Sequence, residues 1–320
     1  MWIMTLGDKI IQELKIAAEK SGKKDFGEAD TIFLQVFMTL QTEKASELNP
    51  DYRSVAYTEQ AASLRWRGVH ESVTMLVLAE AMRLHSQASY FGEARALEEM
   101  GLIGRYSSND EPSKLRGSLA SLDRAIEGYK KALTNDGSVL QPEIADKKTI
   151  QDRLWRTYGI ASVNHSILAG TDETNRTKHL EKAVEYARYE LNQRIEQGET
   201  SGDPLANAYH TVGEAHIELV KEKPETYDEG RAALEKARDI HSSPMVRTVI
   251  ELKMALLEIN THPENKEGVG ELVSGIIAAQ TDTSSAWTPA LKDRLKSRME
   301  RIANHIGEPY VTQLNRFYST

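Results

Sequence analysis

Apolar residues recur along most of this chain at intervals of three and four. Residues 5–20 place Leu6, Ile10, Ile11, Leu14 and Ala17 on one stripe, the spacing of an amphipathic helix. Residues 28–47 repeat it with Ile32, Phe33, Val36, Phe37 and Leu40, and Asn49-Pro50-Asp51 breaks the run. Residues 51–69 and 70–90 read as a helical pair. The second is apolar enough (Val73, Met75, Leu76, Leu78, Ala79, Met82) to predict cover on more than one side. Further breaks fall at 107–112, 135–138, 170–173, 198–204, 242–244, 261–263, 281–285 and 307–309, and Pro142 opens a helix in its first turn. The pattern predicts about fourteen helices and no strand, because no stretch alternates with period two.

Three segments share one layout. The first has Leu97, Met100 and Gly101, then Leu122, Ala125, Ile126 and Tyr129. The second has Trp155, Tyr158 and Gly159, then Leu180, Ala183, Val184 and Ala187. The third has Tyr209, Val212 and Gly213, then Gly230, Ala233, Leu234 and Ala237. The glycines stand 58 and 54 residues apart, and the intervals from glycine to second signature are 21, 21 and 17. A glycine beside two bulky residues lets a partner helix approach closely, and the second signature is that partner's seam. One pair cannot bury both its faces, so pairs must stack.

These residues resemble the tetratricopeptide-repeat family, whose pattern is bulky-x2-Leu-Gly in one helix and small-x3-aromatic-x2-Ala in the next. Trp155-x2-Tyr158-Gly159 and Tyr209-x2-Val212-Gly213 match its first half; Leu180-x3-Val184-x2-Ala187 and Gly230-x3-Leu234-x2-Ala237 match the second loosely. The family repeats at 34 residues; this chain's spacing is longer and lacks the closing proline. The resemblance is clear over residues 94–240 and weaker over 52–282. It implies an all-α solenoid of stacked antiparallel helix pairs in a right-handed superhelix. An N-terminal pair would occupy 1–50, the repeats 51–282 and capping helices 283–320, as one continuous solenoid. It also implies an inner groove, lined by the first helix of each pair, that binds a protein or peptide.

Composition narrows the chemistry. Asp plus Glu number 48 against 40 Lys plus Arg, a formal charge of −8, which disfavours general nucleic-acid binding. A short basic run at Lys20, Lys23 and Lys24 reads as a loop. Cysteine is absent, so no disulfide, thiolate metal site or cysteine nucleophile is expected. The first residues, Met1 to Asp8, turn polar too soon for a signal peptide, and no run of about 18 apolar residues occurs. A cytoplasmic location is the expectation.

Phosphate-loop, zinc-protease, nucleophile-elbow and dinucleotide motifs are missing, as are Glu-x-x-His and an aspartate-rich prenyl motif. The best constellation lies on the first helices, opposite their seams. One helix offers Arg153, Arg156, Ile160, Val163 and Asn164; the next offers Asn207, His210, Glu214 and Ile217; the earlier one offers Arg95, Glu98, Leu102 and Arg105. Two arginines with an asparagine could grip a peptide carboxylate bidentately. The same spacing also suits a solvated face of i,i+4 ion pairs. His210 and Glu214, one turn apart, could act as an acid–base pair or metal ligands, but no third ligand shares their face and His216 points elsewhere. His70, His85 and Tyr90-Phe91 read as rim or core residues. The basic stretch Lys292 to Arg301 and a short helix at 309–318 read as caps.

The expected groove is therefore Arg105, Arg153, Arg156, Ile160, Asn164, Asn207, His210 and Glu214, with no catalytic residue, metal or cofactor. The expected partner is a protein or peptide, a carboxylate-bearing one among the candidates, and neither a membrane nor nucleic acid. An enzyme or small-molecule sensor with a pocket inside the superhelix is the rival reading, and a nucleic-acid-binding regulator the third.

Overall fold

The computed structural model describes residues 5–42, 50–85, 90–108, 111–134, 145–282, 296, 299–300, 302–308 and 310–312. All regular structure among them is helical. The named helices are α1 (Leu6–Gly22), α2 (Phe26–Leu40), α3 (Pro50–Arg67), α4 (Glu71–His85), α5 (Tyr90–Ser107), α6 (Pro112–Thr134), α7 (Lys147–Ala169), α8 (Arg176–Glu196), α9 (Asp203–Leu219), α10 (Tyr227–Ile240), α11 (Pro244–Thr261) and α12 (Lys266–Asp282). Single 3-10 turns at Glu173–Asn175 and Pro224–Thr226 lead into α8 and α10. The predicted turn at 135–138, the helix start at 141–143, most of 292–301 and most of 309–318 lie outside the described residues.

Helix starts follow the sequence. Thr5 Oγ1 accepts from the Asp8 backbone amide at 3.1 Å while the Asp8 carboxylate accepts from the Thr5 amide at 3.0 Å, a reciprocal cap on α1. Asp25 caps α2 through the Glu28 amide. The tight α1–α2 link places Lys24 at φ 64°, so the predicted basic run is divided between a helix end and a turn.

The chain forms two compact units, Met1–Asn164 and His165–Thr320, and the boundary falls within α7. In the first unit α1 packs on α2, α3 on α4 and α5 on α6, while α1, α3 and α5 also pack side by side. In the second, α8 to α12 each pack on the next helix, and α9 also packs on α11. Each first helix is therefore buried on two sides, which a lone pair could not achieve. The predicted stripes supply the core: Ile10, Ile11, Leu14 and Ala17 of α1 are buried, as are Phe33, Val36 and Leu40 of α2.

Helix α4 departs from expectation. Leu78 and Ala81 are buried, but Val73 is 46% and Leu76 72% exposed. Only α3 and α5 cover it among the described residues, so one apolar side faces outward.

The glycines set the pair spacing. A Cβ on Gly101 would lie 2.6 Å from Leu122 Cγ and 3.2 Å from the Ser118 carbonyl. A Cβ on Gly213 would strike Leu234 Cγ and lie 3.2 Å from the Gly230 carbonyl. Gly213 thus pairs with Leu234, 21 residues on, just as Gly101 pairs with Leu122. The 17-residue interval from Gly213 to Gly230 therefore does not correspond to the 21-residue interval from Gly101 to Leu122. Gly230 occupies the place of Ser118, and its missing side chain admits His216.

Candidate functional site

Four helices of the first unit surround a cleft of about 170 Å³. Ile11, Leu14 and Ala18 of α1, Val55 of α3 and Phe91 of α5 form its apolar wall; Lys15, Glu59, Arg95, Thr149 and Arg153 supply its polar groups. Helix α1 packs on α3 and α3 on α5, and Thr149 and Arg153 of α7 complete the lining.

Beneath the cleft runs a buried ion network. Arg95 is 4% exposed, Glu98 0% and Glu99 1%. The Arg95 guanidinium donates to Glu59 at 3.0 Å and to Glu99 at 3.4 Å. Glu99 also accepts from Arg65 of α3. Glu98 accepts from the Tyr129 hydroxyl of α6 at 2.7 Å and lies 3.5 Å from Arg153 and 3.9 Å from Arg156 of α7. Four guanidiniums thus face three carboxylates. Two atoms are left over: Arg95 Nε and Glu98 Oε1 are buried without a hydrogen bond.

Proton affinities follow from this crowding. Burial alone would raise the Glu98 carboxyl, but Arg153, Arg95 and Arg156 reverse it and hold it below the usual carboxylate range. Glu59 is lowered likewise, burial being outweighed by Arg95 and Arg153. Arg95, despite its burial, is held firmly protonated by Glu59, Glu98 and Glu99. Burial and then the Glu98 charge push the Tyr129 hydroxyl well above its ordinary value. All four groups keep their neutral-pH charge states, so none is poised for proton transfer near neutrality.

The predicted residues fall in several places. Arg153 and Arg156 converge on Glu98, and Arg153 also lines the cleft. Ile160 and Asn164 are buried in the same unit. Asn164 Nδ2 donates to Ser118 Oγ at 2.7 Å, which donates to the Gly101 carbonyl at 2.5 Å. Arg105 ends α5 beside the Tyr106 ring. Phe91 is buried but Tyr90 is 45% exposed, and His70 sits exposed at the start of α4, bonded to Ser72.

In the second unit Asn207 is exposed, while His210 and Glu214 share one locality with Lys253 of α11. Lys253 is 5% exposed and ion-paired to Glu214. Burial, then the Lys253 charge, pushes the His210 imidazole down to about 4. His216 is fully buried, with Nδ1 against the Val212 carbonyl at 2.8 Å. Among the described residues no group of three or more His, Cys, Asp or Glu is placed to hold a metal, and no helix is long and apolar enough to cross a membrane.

Lys15, Glu59, Arg65, Glu99 and Lys253 were not singled out from the sequence. The sequence carries one signal for them: Glu98 and Glu99 follow Arg95 by three and four residues, the spacing of ion pairs along one helix. The sequence matches no protein-family profile, and no characterised protein matches it.

Proposed function

We propose that this chain is a non-catalytic, tetratricopeptide-like scaffold that binds a protein or peptide. A carboxylate-bearing anchor residue of the partner would enter the cleft of the first unit. The observation carrying this reading is the cleft itself: an apolar wall beside Lys15 and Arg153, with Glu59 on the same lining held by Arg95, over a network in which four arginines face three carboxylates. Its size favours an anchor over a cofactor. About 170 Å³ suits one side chain, whereas small-molecule sites run to roughly 300–1,000 Å³. Two larger hollows, of about 300 and 350 Å³, lie beside Tyr90 and Lys131 and beside Glu251 and Glu271, and neither joins an apolar wall to the buried arginine network. The depressed carboxylates also argue against acid–base catalysis in the cleft, since a useful catalytic group titrates near the working pH.

Guanidinium and ammonium groups beside an apolar wall would hold a carboxylate by charge-assisted hydrogen bonds and its aliphatic part by desolvation. The test is selection from matched peptide libraries with free and amidated C-termini. Enrichment confined to the free-carboxylate set, lost in Lys15→Ala, supports the reading. Equal enrichment from both sets, untouched by Lys15→Ala, contradicts it.

A further inference from the structure

A second surface of the first unit has a composition the core does not explain. Trp66, at the end of α3, is 57% exposed, and Tyr106, at the end of α5, is 63% exposed. Between them sits the Arg65 guanidinium, 5.3 Å from the Trp66 ring centre and 5.5 Å from that of Tyr106. Arg105 lies 5.6 Å from the other aromatic of the pair, Tyr106. Arg65 is fixed from below, since its Nε donates to the buried Glu99 carboxylate. Arg105 has no carboxylate partner among the described residues, whereas neighbouring Arg67 is paired with Asp30.

We infer that Trp66, Tyr106, Arg65 and Arg105 form a docking surface for an acidic segment of a partner protein. Three observations lead there. Tryptophan, tyrosine and arginine are the residues that dominate interface binding energy. The two rings are already held against Arg65, so ordering them on association costs little side-chain entropy. Among the described residues the side chain here without a carboxylate partner is a cation, Arg105, so the complementary segment carries a carboxylate, with an apolar or aromatic residue to lie on the exposed rings. Aromatic and arginine groups also stack nucleobases, but the net charge is −8, and of Arg65, Arg67 and Arg105 only Arg105 is without a carboxylate partner among the described residues, too little positive charge to track a phosphate backbone. The surface does not depend on the cleft assigned above. It shares with it only the Glu99 carboxylate, which bonds Arg65 on one side and Arg95 on the other.

The test selects a displayed random dodecapeptide library on the full chain. Enriched peptides are then titrated by fluorescence anisotropy against the parent and the variants Trp66→Ala, Tyr106→Ala, Arg105→Glu and Lys15→Ala. The expected result is a family of peptides pairing Asp or Glu with an aromatic residue. Trp66→Ala and Arg105→Glu should each weaken them at least tenfold, and Lys15→Ala should leave them unchanged. Both exposed side chains lie outside the core, so the variants should keep the parent's thermal midpoint; Trp66→Phe, which retains a ring, should bind at intermediate strength. The inference is overturned by peptides lacking acidic residues, by affinities the patch variants do not change, by failure to enrich any peptide, or by a twelve-nucleotide single-stranded RNA binding the patch more tightly than the peptides. Loss of cleft binding with this surface intact would sink only the earlier reading.

Discussion

The fully buried carboxylate of Glu98 on α5 lies 3.5 Å from the Arg153 guanidinium on α7. A carboxylate taken out of water is costly unless paired and hydrogen-bonded. Here Tyr129 donates to one oxygen, and guanidiniums surround the other without hydrogen-bonding it. The contact joins a side chain that holds the unit together to one that borders the cleft.

Glu98→Ala should therefore destabilise the protein strongly. Removing one partner of a buried ion pair costs about 3–5 kcal/mol, and it would leave the Tyr129 hydroxyl buried without its acceptor. Urea unfolding measures the loss. Glu98 and Glu59 both titrate below the ordinary carboxyl value of 4.5, so their stabilisation is present above that pH and disappears as pH falls beneath it. The acid limb of the stability profile should be shallower in Glu98→Ala than in the parent.

His210 should remain neutral in the folded protein down to about pH 4. The unfolded imidazole takes its proton near 6.5, so the contribution of His210 is complete above that value and is lost as pH falls toward 4. Imidazole chemical shifts follow the titration directly. In Lys253→Met the nearby positive charge is gone, and His210 should titrate at a higher pH than in the parent.

Gly101→Ala and Gly213→Ala should each destabilise, although alanine is the better helix former by about 1 kcal/mol. The added methyl would enter Leu122 or Leu234. Overpacking of this kind costs about 1–3 kcal/mol, more than the helix gain for all but the mildest clash. Gly117, with open space around it, provides the control: Gly117→Ala should be neutral or stabilising. Thermal midpoints of the three variants give the comparison.

Asn164 was expected on a ligand-facing surface and is instead a buried link to Ser118 and the Gly101 carbonyl. Asn164→Ala should lower stability by about 1–2 kcal/mol through the lost hydrogen bond and the space left. It should not change partner affinity under conditions where the variant is folded, as denaturation curves and titrations on one sample would show.

Helix placement was legible because apolar spacing reports burial directly: Ile10, Leu14 and Ala17 were readable as a stripe and are core. The close approach at Gly101 was legible for the same reason. What periodicity cannot distinguish is a polar residue facing solvent from one facing another buried polar residue. Glu98, Asn164 and Lys253 carry polar names on helix faces that a neighbouring first helix or its partner covers, and only packing reveals the cover. Leu76 shows the converse, an apolar residue left outside because too few helices reach it.

Calorimetric titration of one selected free-carboxylate peptide measures whether the cleft takes a carboxylate, as proposed. The titration compares its affinity for the parent, for Lys15→Ala and for Arg153→Ala. Lys15 is exposed and lies outside the buried network, so Lys15→Ala should keep the parent's stability while weakening the peptide severalfold or more. Arg153→Ala should weaken it at least tenfold, and amidating the peptide should abolish the difference between parent and variants. Equal affinity for free and amidated peptide, unchanged in both variants, would rule out carboxylate capture in the cleft.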